Sequence, residues 1–316
     1  MTPKEKYRLY YPSKNDIPIF FDPAWLDAAT NDEWDIILSQ NNNGDIVGFM
    51  PICLKTKYGF DAAYTPLLTQ SSGIWIDQSM VSGDKTVTKQ SNKRQIIQDI
   101  VNQIKETSYF RVNFHHSFDM WLPFYYKKFK QTTLYTYILE GIKDHEAILN
   151  GFKGNIKNKI KKAEHDYKIF ESDDIGALYI LCSVNFKNQG LKLPFDFSYL
   201  KAIDSSKITR KKLFLVKDNE GTIVAGQYLV WDQISAYNLL LAIDENHKNM
   251  GVGPKLLWHS IQFASEYVDT YDFEGSMLPQ VQPFFESFGG NPVTYYQIYK
   301  INNPIMRMWF ALIGKI

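Results

Sequence analysis

The residues of greatest chemical promise stand together in Lys248-Asn249-Met250-Gly251-Val252-Gly253, between the apolar run 235–243 and a helical pattern that opens at Pro254. Two glycines in a strand-to-helix turn remove Cβ atoms where backbone must come close to a ligand. The successive N–H groups at the helix start then form a nest for phosphate oxygens. Lys248 adds a point charge, and Pro254 gives up an N–H that would have no intrahelical partner. On its own the pattern reads as a plain tight turn or as an anion-binding one that takes phosphate oxygens. The dinucleotide fingerprint fits less well, because it wants a third glycine and a βαβ start early in the chain. A P-loop is excluded, because no Gly-Lys-Ser/Thr follows.

Other reactive side chains lack the company that chemistry requires. His115 and His116 end a strand pattern with no carboxylate or third ligand at suitable spacing, so a hydrogen-bonded structural pair is expected rather than a metal site. Ser276 follows Gly275 without a Gly-x-Ser-x-Gly elbow, which argues against hydrolase chemistry. Cys53 and Cys182 sit in apolar patterns in different halves and are expected in the core. They imply neither a disulfide framework nor a zinc site, and a reducing cytoplasm is the simplest location.

The elements that would carry these residues occur twice. A helix pattern after Asp22-Pro23, with Trp25, Leu26, Ala28 and Ala29, precedes a hairpin whose turn is Asn41 to Asp45. A helix pattern with Phe197, Tyr199, Leu200 and Ile203 precedes another, whose turn is Asp218 to Gly221. Each hairpin leads to a strand (63–68; 236–241), a helix (94–106; 254–267), a strand (109–115; 270–275), a short aromatic segment after a proline (122–126; 282–286) and a last strand (134–138; 294–298). The series implies a duplicated α+β unit, a mixed sheet flanked by helices, with a seam at 140–143 and domains at 1–141 and 142–316. The polar stretch 78–92 has no counterpart in the second copy and reads as a surface loop. Before the second hairpin, one amphipathic helix is expected, capped by Asp144. It carries Ile148, Phe152, Ile156 and Ile160 at four-residue intervals, with Lys153, Lys157, Lys159, Lys161 and Lys162 on its other faces. Those lysines read as a solvated face, or as a contact for an anionic donor or acceptor.

At 316 residues the chain exceeds what one core usually serves. A net charge of +1 gives no global reason to expect nucleic acid or an anionic membrane as partner. No segment has the roughly 20 apolar residues of a spanning helix. The tail Ile305 to Ile313, interrupted by Arg307, is expected to dock back on the protein, with a membrane contact as the alternative.

Lys248-x-x-Gly251-x-Gly253 after an apolar strand resembles the pyrophosphate loop of the GNAT (Gcn5-related N-acetyltransferase) superfamily, although Lys248 stands where Arg or Gln is usual and Pro254 where another small residue is common. With the basic segment 152–163, Tyr271 to Ser276 and Phe284 to Gly290, nearly the whole chain resembles the Fem-type, methicillin-resistance-like acyltransferases, which are tandem GNAT folds. The resemblance implies transfer of an acyl group from coenzyme A, or from an aminoacyl-tRNA, to an amine. No metal is required. It implies that Leu240, Leu241 and Ala242 present backbone N–H groups to the donor carbonyl, and that 248–253 hold its diphosphate. Glu274 is the preferred proton acceptor, with Asp244 or Glu245 as alternatives, and Tyr295 or Tyr296 would protonate the leaving group.

The first copy has Thr69 to Gly73 where the second has its glycine loop, so it is expected not to bind the donor but to shape the acceptor cleft. Gln70, Asn185 and Gln189 are candidate acceptor contacts. The leading expectation is an acyl-coenzyme A N-acyltransferase acting on a small-molecule or cell-envelope amine. The rivals are an aminoacyl-tRNA-dependent enzyme and an inactive binding module.

Overall fold

The computed structural model describes the chain apart from residues 58, 82, 84, 276, 278–280 and 313–316; Ser276 therefore lies outside the described residues. The first copy runs α1 (Pro3–Tyr10), α2 (Pro23–Thr30), β1 (Trp34–Gln40), β2 (Ile46–Lys57), β3 (Phe60–Tyr64), β4 (Trp75–Ile76), α3 (Thr86–Gln103), β5 (Tyr109–Asn113), α4 (Leu122–Tyr126) and β6 (Lys130–Glu140). The second runs α5 (His145–Gly151), α6 (Gly154–Ala163), β7 (Tyr167–Glu171), α7 (Ile175–Asn188), α8 (Phe197–Asp204), β8 (Lys211–Asp218), β9 (Ile223–Trp231), β10 (Ala236–Ile243), α9 (Val252–Ser265), β11 (Thr270–Asp272), α10 (Gln282–Glu286), β12 (Asn291–Ile301) and α11 (Pro304–Leu312).

The repeat expected from sequence is present in its pairings as well as in its order. β1 and β2 form an antiparallel hairpin, β2 pairs antiparallel with β3, and β3 pairs parallel with β5. β8, β9, β10 and β11 do the same in turn. The caps follow local chemistry: Asp22 accepts from the Ala24 N–H at 2.8 Å with Pro23 at the first helical position, and Asp144 accepts from Ala147 at 3.0 Å.

Two compact units result, one of Met1–Lys14, Phe20–Leu134 and Thr294–Ile316, the other of Asn15–Ile19 and Tyr135–Val293. They differ from the copies 1–141 and 142–316 because the last strands are exchanged. Ile138 to Glu140 of β6 pair with β11, and Gln297 to Ile301 of β12 pair with β5. Each exchanged strand satisfies backbone groups along an edge that would otherwise be open. The first unit closes around Met50, Ile97, Ile100, Phe110, Phe114 and Phe124. The second closes around Phe152, Ile156, Phe214, Leu256, Ile261 and Tyr271.

Three expectations change. The stretch 78–92 is not all loop, because α3 already begins at Thr86 and its added turns are solvated. The single helix expected over the Ile148 to Ile160 stripe is broken at Phe152 and Lys153, between Gly151 and Gly154, where helix propensity is lowest. The tail does form a helix, α11, but none of its described side chains is buried, so its apolar face is not docked. Cys53 and Cys182 are core residues as expected. Among the described residues no helix is long and apolar enough to cross a membrane.

Candidate active site

In the second unit β10 pairs with β9 along its length but with β11 only at Ala236 and Tyr237, opposite Tyr271 and Asp272. The strands part from there. A register shift between Asn238 and Leu240 marks a bulge, which bends the strand where it leaves its neighbour. Leu240, Leu241 and Ala242 follow directly, paired with Tyr228, Gln227 and Gly226 of β9 on one side while their other side borders the gap. Such a split is what lets main-chain N–H groups meet a ligand carbonyl.

The turn after β10 is tightly organised. Asp244 caps a short 3₁₀ turn, Glu245–His247, accepting from Asn246 N at 3.0 Å and meeting His247 Nδ1 at 3.1 Å. Those contacts, His247 first, hold its carboxyl below the ordinary range, which suits a cap better than a base. Lys248 is ion-paired with Glu245, while Asn249 and Met250 are exposed. Gly251 has φ +90° and caps α9. A Cβ there would run into the backbone carbonyl of Lys159 on α6. Gly251, Val252, Gly253 and Pro254 are all buried. Lys255 completes the join, donating to the carbonyls of Tyr167 at 2.7 Å and Glu164 at 3.0 Å beyond the end of α6. The glycine therefore serves close packing of α6 on α9.

At the other side of the split, Asp272 accepts from Thr136 Oγ1 at 2.5 Å and from the Glu274 N–H at 2.7 Å. Thr136 Oγ1 in turn accepts from Gly275 N at 3.1 Å, and a Cβ on Gly275 would strike the Tyr135 carbonyl. Glu274 is held at φ +51° by this lattice. Its Oε1 is buried with no hydrogen-bond partner among the described residues. Burial, and then the neighbouring Asp272, push its pKa well above the ordinary value. An orphaned, desolvated carboxyl is a strong proton acceptor once ionised.

Tyr237 feels the same field. Its hydroxyl donates to Asp232 Oδ2 at 3.0 Å, and its pKa is raised by burial, then by Asp232, Asp272 and Glu274. Between sheet and α9 lies a second polar group. Gln227 Nε2 donates to Asn238 Oδ1 and to Tyr271 Oη, each at 2.8 Å, and Tyr271 Oη also meets Ser260 Oγ at 2.8 Å.

Residues 150–283 match the family model for the acetyltransferase (GNAT) domain. The second unit carries a GNAT acyltransferase domain. The crystal structure of FemX is similar to the chain, at 15% identity over 98% of each chain, with a TM-score of 0.68. So is a domain from Agrobacterium fabrum assigned to a lysylphosphatidylglycerol synthetase, at 11% identity over 99% of this chain and 98% of that one, TM-score 0.54. A tandem GNAT protein from the clavulanic acid pathway aligns at 8% identity over 84% and 82%, TM-score 0.51. Identities this low establish shared fold alone, and that fold is the Fem-like tandem GNAT architecture. No curated protein matches the chain.

The GNAT domain holds the split strand with Glu274 just beyond its β11 side, and the turn 248–253 beyond the far end of β10 against α6. Asn185 also belongs to this unit. It extends the buried stripe Leu178, Leu181, Cys182 of α7, and its Oδ1 is buried without a partner among the described residues. Gln189 follows α7 and is exposed. Gln70 and Tyr295 lie in the other unit, both half-buried. His115 is a buried structural residue whose Nδ1 meets Ser117 Oγ at 2.8 Å, and burial next to His116 lowers its pKa to about 3. Sequence reasoning passed over Asp272 and Thr136. Asp272 was detectable, since residues two apart on a strand share a face with Glu274. Thr136 gave no local signal, because strand exchange delivers it.

Proposed function

We propose that the GNAT domain transfers an acyl group from an activated ester to an amine, in the gap where β10 leaves β11. The observation that carries this reading is the orphaned Glu274 carboxyl at the edge of that gap. The amine nitrogen attacks the ester carbonyl, main-chain N–H groups of Leu240 to Ala242 meet the oxyanion, and Glu274 takes the proton that the nitrogen sheds. The leaving oxygen or sulfur departs with the bonding pair, and the amide forms.

For the donor, the buried Gly251 turn favours an aminoacyl ester of tRNA over acyl-coenzyme A. Gly251 is explained by contact with α6, and Lys248 is occupied by Glu245, so neither is reserved for a diphosphate. The lysines of α6 offer an electrostatic track for RNA. A neighbour assigned to lysylphosphatidylglycerol synthesis is consistent with aminoacyl transfer. The second reading, acyl-coenzyme A, draws on the N–H groups of Gly251, Val252 and Gly253, which have no acceptor among the described residues. It also draws on the tandem GNAT neighbour from the clavulanic acid pathway, a structure described as being without AcCoA. The acceptor is an amine of a small molecule or a cell-envelope precursor.

Titrating the protein with coenzyme A by calorimetry, and with aminoacylated tRNA at several salt concentrations, separates the donors. The tRNA reading expects salt-dependent binding of tRNA and no heat with millimolar coenzyme A. Coenzyme A binding without tRNA binding reverses the assignment, and binding of neither overturns both.

A further inference from the structure

We propose that α11, with the basic surface beside it in the first unit, is a docking face for an anionic lipid surface. Ile305, Met308, Trp309 and Leu312 are 63, 64, 54 and 78% exposed. At about 100° per residue these four fall within an arc of roughly 100°. The helix is anchored by another flank. Phe310 packs against Tyr109 with ring centroids 5.2 Å apart, Arg307 Nη2 donates to the Ile301 carbonyl at 2.9 Å, and Asn303 Oδ1 accepts from Ile305 N and Met306 N at 2.9 and 3.1 Å. The apolar stripe is thus held outward by contacts it does not share.

Charge identifies what covers it. A cavity of about 260 Å³ next to the helix is lined by Lys128, Lys130, Lys300 and Arg307, and no carboxylate is among its lining residues. Just before Lys127 and Lys128, Tyr125 and Tyr126 are 57 and 61% exposed. Outward leucine, isoleucine and methionine, flanked by tryptophan, tyrosines and cations, match the requirements of a bilayer surface: an apolar layer for the stripe, an interface for the amphipathic rings, and phosphate for the ammonium groups. A two-fold contact with a second copy would instead bring these cations close to their own equivalents.

The test is co-sedimentation of the full chain with phosphatidylcholine vesicles and with vesicles that also contain phosphatidylglycerol. Binding is expected to the anionic vesicles, weakening as salt rises. The combined variant Ile305→Ser, Met308→Ser, Leu312→Ser should bind at least about tenfold more weakly, and Lys128→Gln and Lys130→Gln about fivefold more weakly each. All these side chains except Lys128 and Lys130 lie on α11 and leave the cores untouched, so circular dichroism and thermal unfolding should match the parent. Absence of binding, equal binding to neutral and anionic vesicles, or undiminished binding by the triple variant overturns the proposal. So does a parent dimer that the triple variant converts to monomer in sedimentation velocity, which would assign the face to self-association.

Discussion

Replacing Glu274 by Gln tests the site without a known substrate, because the carboxyl should affect stability as well as turnover. Its Oε1 is buried without a partner, and Asp272 stands beside it. A carboxyl whose pKa is raised on folding holds its proton more tightly in the native state. Below the unfolded value, near 4.3, both states are protonated and the group costs nothing. As pH rises through the window between that value and the raised folded one, native stability is progressively lost. Every tenfold weakening of the acid corresponds to about 1.4 kcal/mol. The Glu274→Gln variant should therefore match the parent at pH 4 and exceed it at pH 8, by about 1.4 kcal/mol for each tenfold weakening of the acid on folding, because the amide carries no proton to lose. Urea unfolding at the two pH values reads this directly. Turnover, once donor and acceptor are in hand, should fall by roughly 10²–10⁴. Parent activity should rise with pH as Glu274 ionises. A variant less stable than the parent at pH 8, with turnover intact, would make Glu274 a structural residue and refute the reasoning.

Gly251→Ala should destabilise the protein by about 1–3 kcal/mol in urea unfolding, since the new Cβ meets the Lys159 carbonyl and the backbone there has φ +90°; an unchanged midpoint would show that α6 yields freely. Lys255→Met leaves the carbonyls of Glu164 and Tyr167 without their cation, for a loss of about 1.5–3 kcal/mol, with hydrogen exchange accelerated in α6 ahead of the rest of the second unit. His115, lowered to about 3 by burial and His116, should stay neutral in NMR titration through pH 5. Because its folded pKa lies below the unfolded value, its contribution to stability is lost as pH falls from about 6.5 toward 3, and His115→Gln should flatten that part of the stability curve.

Much of the architecture was written locally. Asp22 and Pro23 start a helix by capping chemistry, the Asn41 to Asp45 and Asp218 to Gly221 turns close hairpins, and apolar periodicity orders the elements between them. Recurrence of the whole series disclosed the duplication, because near neighbours in sequence decide each part. Local signals also misled where a stripe was continuous but its backbone was not, as at Gly151 to Gly154.

What the sequence determined alone was therefore the repeated α+β unit, the glycine turn before α9 and the presence of a carboxylate at 274. What only the tertiary structure decided was their use: which strand closes which sheet, that α6 lies on Gly251, and that Thr136 and Asp272 confine Glu274 in a desolvated place. The physical reason is range. Caps, turns and periodicity act across a few residues, whereas burial, close approach and proton affinity are set by partners that folding brings from distant parts of the chain.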